Sequence, residues 1–183
     1  MLAAARAAFA DRGFDGATIR GIATAAGVDP ALVHHYFGSK DQLFLAAVEA
    51  PADPGDLLPA VLAGGRDELG AGVVRTLLTV WDGPGQAAGL ALVRSAVGNE
   101  WTARLLREFL ATQVLRRVVR SLDHPPAEAE LRAALAASQL AGLVVGRYVL
   151  KIEPLASATP EWLVAAVGPT VQRYLTGEVA LPA

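Results

Sequence analysis

The sequence predicts an all-α protein with two parts, a three-helix domain containing a helix-turn-helix over residues 1–48 and a C-terminal helical bundle over residues 49–183. Three observations support this prediction. Apolar residues recur at helical spacing along the chain, without the sustained alternation that is typical of strands. Residues that cap or stop helices divide the first fifty residues into short segments. A stretch rich in Pro at 51–55 (PADPG) then indicates the domain boundary.

Four short helices are predicted before this boundary. The first is expected to run to about residue 11 and to stop at Gly13, since glycine is the usual residue just past a helix end. Thr18 is expected to cap the second helix and Ser39 the fourth, because hydroxyl oxygens accept hydrogen bonds from the free amides of a helix N-terminus. Asp29 caps the third helix, and Pro30 takes its first position.

Six further helices are predicted in the C-terminal part. Segments containing Gly, Pro or Asp separate them, and no repeat or long linker interrupts the series. Their expected ranges are 56–63, 66–81, 85–97, 99–122, 127–152 and 160–175.

Composition excludes several classes of protein. The 183 residues include no Cys and carry a formal net charge of −2. A disulfide framework, a thiolate metal site and a cysteine nucleophile are therefore excluded. The near-neutral charge also argues against a protein that coats DNA nonspecifically, because such binding needs many cations to neutralise phosphates.

Location and catalysis are the next expectations. The longest uncharged run, between Arg132 and Arg147, is shorter than the roughly 20 apolar residues that a bilayer requires. The first residues show no export signal, so a cytoplasmic location without membrane attachment is expected. The sequence has no phosphate-binding Gly loop, no metal-ligand spacing and no nucleophile elbow. We therefore expect neither an enzyme nor a cofactor.

The segment 19–36 has the residue types that a helix-turn-helix requires. Ala23, fifth from Ile19, allows the two helices to approach closely, and Gly27 at the ninth position tolerates the positive φ of the turn. Val28 and Val33 are placed to fill the small core beneath the second helix. An ordinary helical hairpin would be the alternative interpretation of this pattern alone.

The wider context favours DNA binding. Residues 9–23 (FADRGFDGATIRGIA) and 26–43 (AGVDPALVHHYFGSKDQL) resemble the opening of the TetR family of transcription regulators. The resemblance covers about the first 48 residues, whereas the rest resembles the family only in its helical character and its length. Two departures from the family pattern are expected: His34 stands where many members have Tyr, and the usual basic arm before the first helix is not expected.

The resemblance implies that the helix from Pro30 to Tyr36 enters the major groove of a palindromic double-stranded operator. Phosphate contacts are then expected from Thr18, Tyr36 and Lys40, and base contacts from Arg20 and the two histidines. The two histidines point about 100° apart on a helix, so no metal site is expected. The full set of candidate DNA-binding residues is Thr18, Arg20, Asp29, Pro30, Ala31, His34, His35, Tyr36 and Lys40.

The C-terminal part is expected to bind a small, largely apolar effector between the helices of about 66–122. Large apolar side chains separated by Gly and Ala, with few polar groups, favour such a pocket, although a solid core is the alternative. Arg94 either anchors an acidic ligand or pairs with a carboxylate. The candidate pocket residues are Leu78, Trp81, Arg94, Trp101, Phe109, Gln113 and Tyr148.

The last two helices are expected to form a homodimer. Their faces combine small and branched residues, which suit a four-helix bundle between two copies. The candidate interface residues are Ala137, Leu140, Ala141, Val144, Val167 and Val171.

The function predicted from these parts is a repressor that a ligand releases from its operator. Residues 1–50 carry four cationic and five anionic side chains. This slightly acidic balance keeps one alternative open, a dimeric helical adaptor that has lost DNA binding.

Overall fold

The computed structural model describes residues 1–50, 52–109, 118, 122 and 124–179, excluding the side chains of 107–109. Within these residues every regular element is helical, which confirms the predicted all-α class. The α-helices are α1 (Leu2–Gly16), α2 (Ile19–Ala26), α3 (Pro30–Phe37), α4 (Lys40–Val48), α5 (Pro54–Leu62), α6 (Leu69–Trp81), α7 (Gln86–Gly98), α8 (Glu100–Phe109), α9 (Pro126–Val144) and α10 (Pro160–Thr176). A 3₁₀ turn spans Arg66–Glu68, and a π turn at Val145–Val149 extends α9.

The predicted caps of the N-terminal helices are confirmed. The Thr18 hydroxyl accepts from the Gly21 amide at 3.1 Å, and the Ser39 hydroxyl accepts from the amide of Gln42 at 3.1 Å. The Asp29 carboxylate accepts from the Ala31 amide at 2.7 Å. These bonds satisfy amides that a helix leaves free at its start, so short helices of eight or nine residues have defined ends.

Gly13 interrupts the regular helix of α1 where the sequence predicted its end. Its φ of 71° and ψ of 175° are not helical, and a second short helical segment follows across this kink as far as Gly16. Because glycine has no Cβ, it takes this conformation without a steric penalty. Gly27 likewise ends α2 with a φ of 67°, as the turn of a helix-turn-helix requires.

The N-terminal core is built around aromatic side chains of α1 and α4. Phe9 and Phe44 are fully enclosed, and their ring centroids lie 4.8 Å apart in an edge-to-face arrangement. Ile22 of α2 and Val33 of α3 pack on the same core. Leu105, which belongs to α8 of the C-terminal part, is also buried there. The predicted boundary near residue 48 therefore does not separate the hydrophobic cores completely.

The C-terminal core is organised by a close crossing of α6 and α10. A Cβ on Gly70 would lie 2.3 Å from the carbonyl oxygen of Gly168, so only glycine permits this approach. The Gln172 side chain bridges the crossing, since its oxygen accepts from the Gly70 amide at 2.7 Å and its nitrogen donates to the Arg66 carbonyl at 2.8 Å. The crossing positions α6 for the contacts described below.

A buried arginine joins α9 to the end of α10. Arg132 is 6% exposed and donates from Nε to Glu128 at 2.7 Å. Its Nη1 donates to the carbonyls of Tyr174 and Gly177 at 2.9 and 2.8 Å. A buried guanidinium needs such partners, because desolvating an uncompensated charge is costly.

Across the described ranges, no helix is both long and apolar enough to cross a membrane.

Candidate nucleic-acid interface

Helix α3 presents most of its side chains to solvent. Val33 is its buried residue and anchors the helix to the N-terminal core. Ala31, His34, His35 and Tyr36 are exposed, and Pro30 is half-buried. Because residues 31 and 35 stand about 160° from residue 33 on a helix, their side chains point directly away from the core. We call Ala31, Leu32, His34, His35 and Tyr36 the recognition face.

The histidines of this face have different partners. Nδ1 of His34 lies 3.1 Å from the carbonyl oxygen of Gly38, so this nitrogen carries a proton and donates. In the neutral ring, Nε2 of His34 is then an acceptor. The rings of His35 and Tyr36 are 5.3 Å apart in an edge-to-face arrangement, which orders both side chains at the surface.

Lys40 is held where α4 begins. Its Nζ donates to the carbonyl oxygen of Asp15 at 3.3 Å and lies 4.6 Å from the centre of the Phe14 ring. An ammonium group has three donors, so this arrangement leaves donors for a phosphate oxygen. The Asp29 carboxylate, in contrast, is engaged as the cap of α3.

Helix α2 adds exposed groups beside α3. Thr18 and Arg20 are both exposed at its N-terminal end. Arg12, which the residue pattern did not indicate, lies nearby; a Cβ on Gly21 would be 3.8 Å from its Nη1. Only the packing of α1 on α2 shows this proximity. Thr18 and Arg12, together with Ile22 and several alanines, line a surface groove of about 410 Å³; Arg20 lies outside this lining.

Two family models account for most of the chain. Residues 1–47 match the model described as bacterial regulatory proteins, tetR family, and residues 67–175 match the model described as tetracyclin repressor-like, C-terminal domain. The chain belongs to the TetR family.

The chain is also similar to individual proteins. The HTH-type transcriptional regulator BetI of Agrobacterium fabrum is 34% identical over 154 residues, which are 80% of this chain and 74% of that protein. The HTH-type transcriptional repressor AcnR of Corynebacterium efficiens is 40% identical over 52 residues, which are only 28% of each protein. The crystal structure of a TetR-family regulator from Streptomyces coelicolor is 37% identical, with 96% of this chain and 92% of that chain covered and a TM-score of 0.48.

This TetR-family protein is a DNA-binding transcriptional regulator and not an enzyme, as the sequence predicted. Regulators of the family bind DNA operators, usually as dimers and with small-molecule effectors. The individual DNA contacts, the effector residues and the dimer face of this member stay predictions.

Part of the predicted effector region is brought together in this TetR-family chain. Leu78, Trp81 and Tyr148 are buried in the C-terminal core, with the two aromatic rings stacked 5.3 Å apart. The Tyr148 hydroxyl donates to Oδ1 of Asp82 at 2.9 Å. Burial, and secondarily the bond to this carboxylate, raises the pKa of Tyr148 from 10.0 to about 12.

The predicted setting of Arg94 needs correction. Arg94 is exposed, not enclosed by the apolar run around it, because α7 buries little except Gly89 against Trp81. Trp101 is 38% exposed on the first turn of α8. The Phe109 side chain and Gln113 lie outside the described residues.

The predicted dimer face of the TetR-family chain also changes. Val171 is fully buried and Val144 is 5% exposed, so both belong to the core of the protomer. The spacing of small and branched residues did not reveal that α6 already covers this side of α10. The remaining predicted residues reach the surface to different degrees; Ala141 is exposed, while Ala137, Leu140 and Val167 are half-buried.

Proposed function

We propose that the protein is a homodimeric repressor that binds a short palindromic operator through α3 of each protomer. It is released when a small, largely apolar ligand occupies the C-terminal part, and it acts in the cytoplasm. The observation that carries the proposal is the recognition face. A capped helix, anchored by the buried Val33, presents polar and apolar side chains outward, where they are available to a partner.

Phosphate contacts are assigned to Thr18, Tyr36 and Lys40. Their exposed or half-buried hydroxyl and ammonium groups lie at helix starts or at the end of α3, where the sugar-phosphate backbone borders the major groove. Base contacts are assigned to Arg20 and His35, with Ala31 close to the base edges. Nε2 of a neutral His34 can only accept a hydrogen bond. It therefore replaces only in part the Tyr hydroxyl of many family members, which can also donate one to a phosphate.

The dimer is assigned to the exposed sides of α9 and α10. Ala141 and its neighbour Gly142 are exposed small residues that permit close approach of a second copy. Two protomers related by a twofold axis would place their α3 helices about one turn of DNA apart, or slightly more.

The effector is assigned to the surroundings of Trp81 and Tyr148. Stacked aromatic rings and one hydroxyl are the kind of lining that holds an apolar ligand with a single orienting contact. By linkage, ligand and operator must weaken each other equally, typically by about 1–3 kcal/mol.

Salt-dependent binding of the wild type and two lysine variants tests the DNA assignment. We expect a mobility shift with the region upstream of the protein's own gene. Lys40→Gln should weaken binding. It should also reduce the slope of log affinity against log salt concentration by about 0.9 for each lost phosphate contact. Lys151→Gln, which removes an exposed lysine on the loop after the π turn, is the matched control and should leave both quantities unchanged. A protein that dimerises but binds no DNA would instead be the adaptor.

A further inference from the structure

We propose that Leu32 determines operator specificity by packing against the 5-methyl group of a thymine in each half-site. The proposal rests on the docking of α3 in the major groove given above. It adds one residue, absent from the sequence-based candidates, and one chemical group on the DNA.

Leu32 is a large aliphatic side chain on the solvent-facing side of α3. It is 41% exposed, although Val33 beside it is fully buried. Successive helix residues point about 100° apart, so Leu32 stands to one side of the core-facing direction. Val28 and Phe37, which flank it in sequence, are half-buried against the N-terminal core.

The neighbours of Leu32 are also on the recognition face. His35 and Tyr36 follow it by three and four residues, which places them next to it on the helix surface. Tyr36 is 64% exposed, and its ring is in contact with that of His35. Leu32 therefore forms the apolar end of an ordered, solvent-facing ridge.

The chemistry of α3 limits which bases it can recognise. Its sequence, PALVHHYF, contains no Arg or Lys for a bidentate contact with guanine and no Asn or Gln for adenine. An aliphatic side chain has one complementary group in the major groove, the methyl group of thymine. Burying one methyl group is worth about a fourfold change in affinity, and two half-sites give roughly fifteenfold.

Uracil substitution tests this inference, because uracil differs from thymine only by the missing methyl group. The full-length protein is first used to select its preferred site from random duplex DNA. Each thymine of the selected site is then replaced by uracil, and affinity is measured by fluorescence anisotropy at one salt concentration. We expect one symmetric pair of thymines at which the double replacement weakens binding roughly fifteenfold.

The Leu32→Ala variant should bind the thymine and uracil versions of that pair equally. Leu150→Ala, which truncates another exposed leucine at the end of the π turn, should keep the wild-type sensitivity. If selection succeeds but replacing thymine by uracil weakens binding at no position, the Leu32 assignment alone is overturned. A Leu32→Ala variant that keeps the wild-type sensitivity to uracil overturns it as well. Selection that enriches no sequence overturns the proposed function and this inference together. A wild-type scan in which no thymine responds overturns the assignment even if Leu32→Ala fails to fold.

Discussion

Leu105 is predicted to stabilise the DNA-binding part from the C-terminal part. It is 2% exposed and lies in the core formed by α1 and α4, both of which contact α8. Leu105→Ala removes three buried carbon atoms, worth about 2.4 kcal/mol at about 0.8 kcal/mol for each. The cavity left behind adds to this loss, so the free energy of unfolding should fall by about 2.5–4 kcal/mol.

Thermal unfolding at a fixed protein concentration measures this loss. For a chain of this size, about 3 kcal/mol corresponds to a decrease in Tm of about 6–12 °C. Leu150→Ala, at a leucine that is 64% exposed, is the matched control and should change stability by no more than about 0.5 kcal/mol. If the two variants unfold at the same temperature, Leu105 is not part of the N-terminal core and the reasoning is refuted.

Three further predictions concern the C-terminal part. Gly70→Ala should lower the free energy of unfolding by about 1–3 kcal/mol, because the added Cβ would meet backbone atoms of α10. Gly98→Ala, with open space around it, is the control and should be near neutral in denaturant unfolding. Equal effects of the two substitutions would contradict the close crossing of α6 and α10. Arg132→Met should cost about 3–5 kcal/mol, because it leaves the Glu128 carboxylate and two backbone carbonyls without their donor. Adding Glu128→Met should restore only the part that is due to the carboxylate, and a single variant as stable as the wild type would exclude a stabilising role for the arginine. Because folding raises the pKa of Tyr148 from 10.0 to about 12, the stability that this residue contributes is complete below pH 10.0 and is lost as pH rises through about 12. Tyr148→Phe should therefore remove an absorbance transition near pH 12 and reduce the loss of stability at alkaline pH. An unchanged titration would be inconsistent with the burial of Tyr148.

Features that depend on neighbouring residues could be predicted from the sequence. Thr18, Asp29 and Ser39 act on amides two or three residues away, so their capping roles follow from local chemistry. The turn at Gly27 follows in the same way from the conformational freedom of glycine. The helical type of the N-terminal elements and their order along the chain are therefore consequences of short-range interactions.

Features that depend on which helices meet could not be predicted in this way. Arg94 has apolar neighbours in sequence, yet it faces solvent because α7 buries little besides Gly89. Val171 suited a dimer face by its spacing, but α6 covers it within the protomer. Two leucines show the same limit. Leu105 is buried in the N-terminal core, far from its own segment of the sequence, whereas Leu32 is exposed on a short helix.

The affinity of the purified protein for its selected site, relative to a scrambled duplex of the same composition and length, tests the central claim most directly. Both are measured at one near-physiological salt concentration, since affinities change steeply with salt. We predict that the selected site is an inverted repeat bound by two protomers, with an affinity about 1,000-fold or more above that of the scrambled duplex. Equal affinity for the two duplexes would contradict sequence-specific recognition by α3.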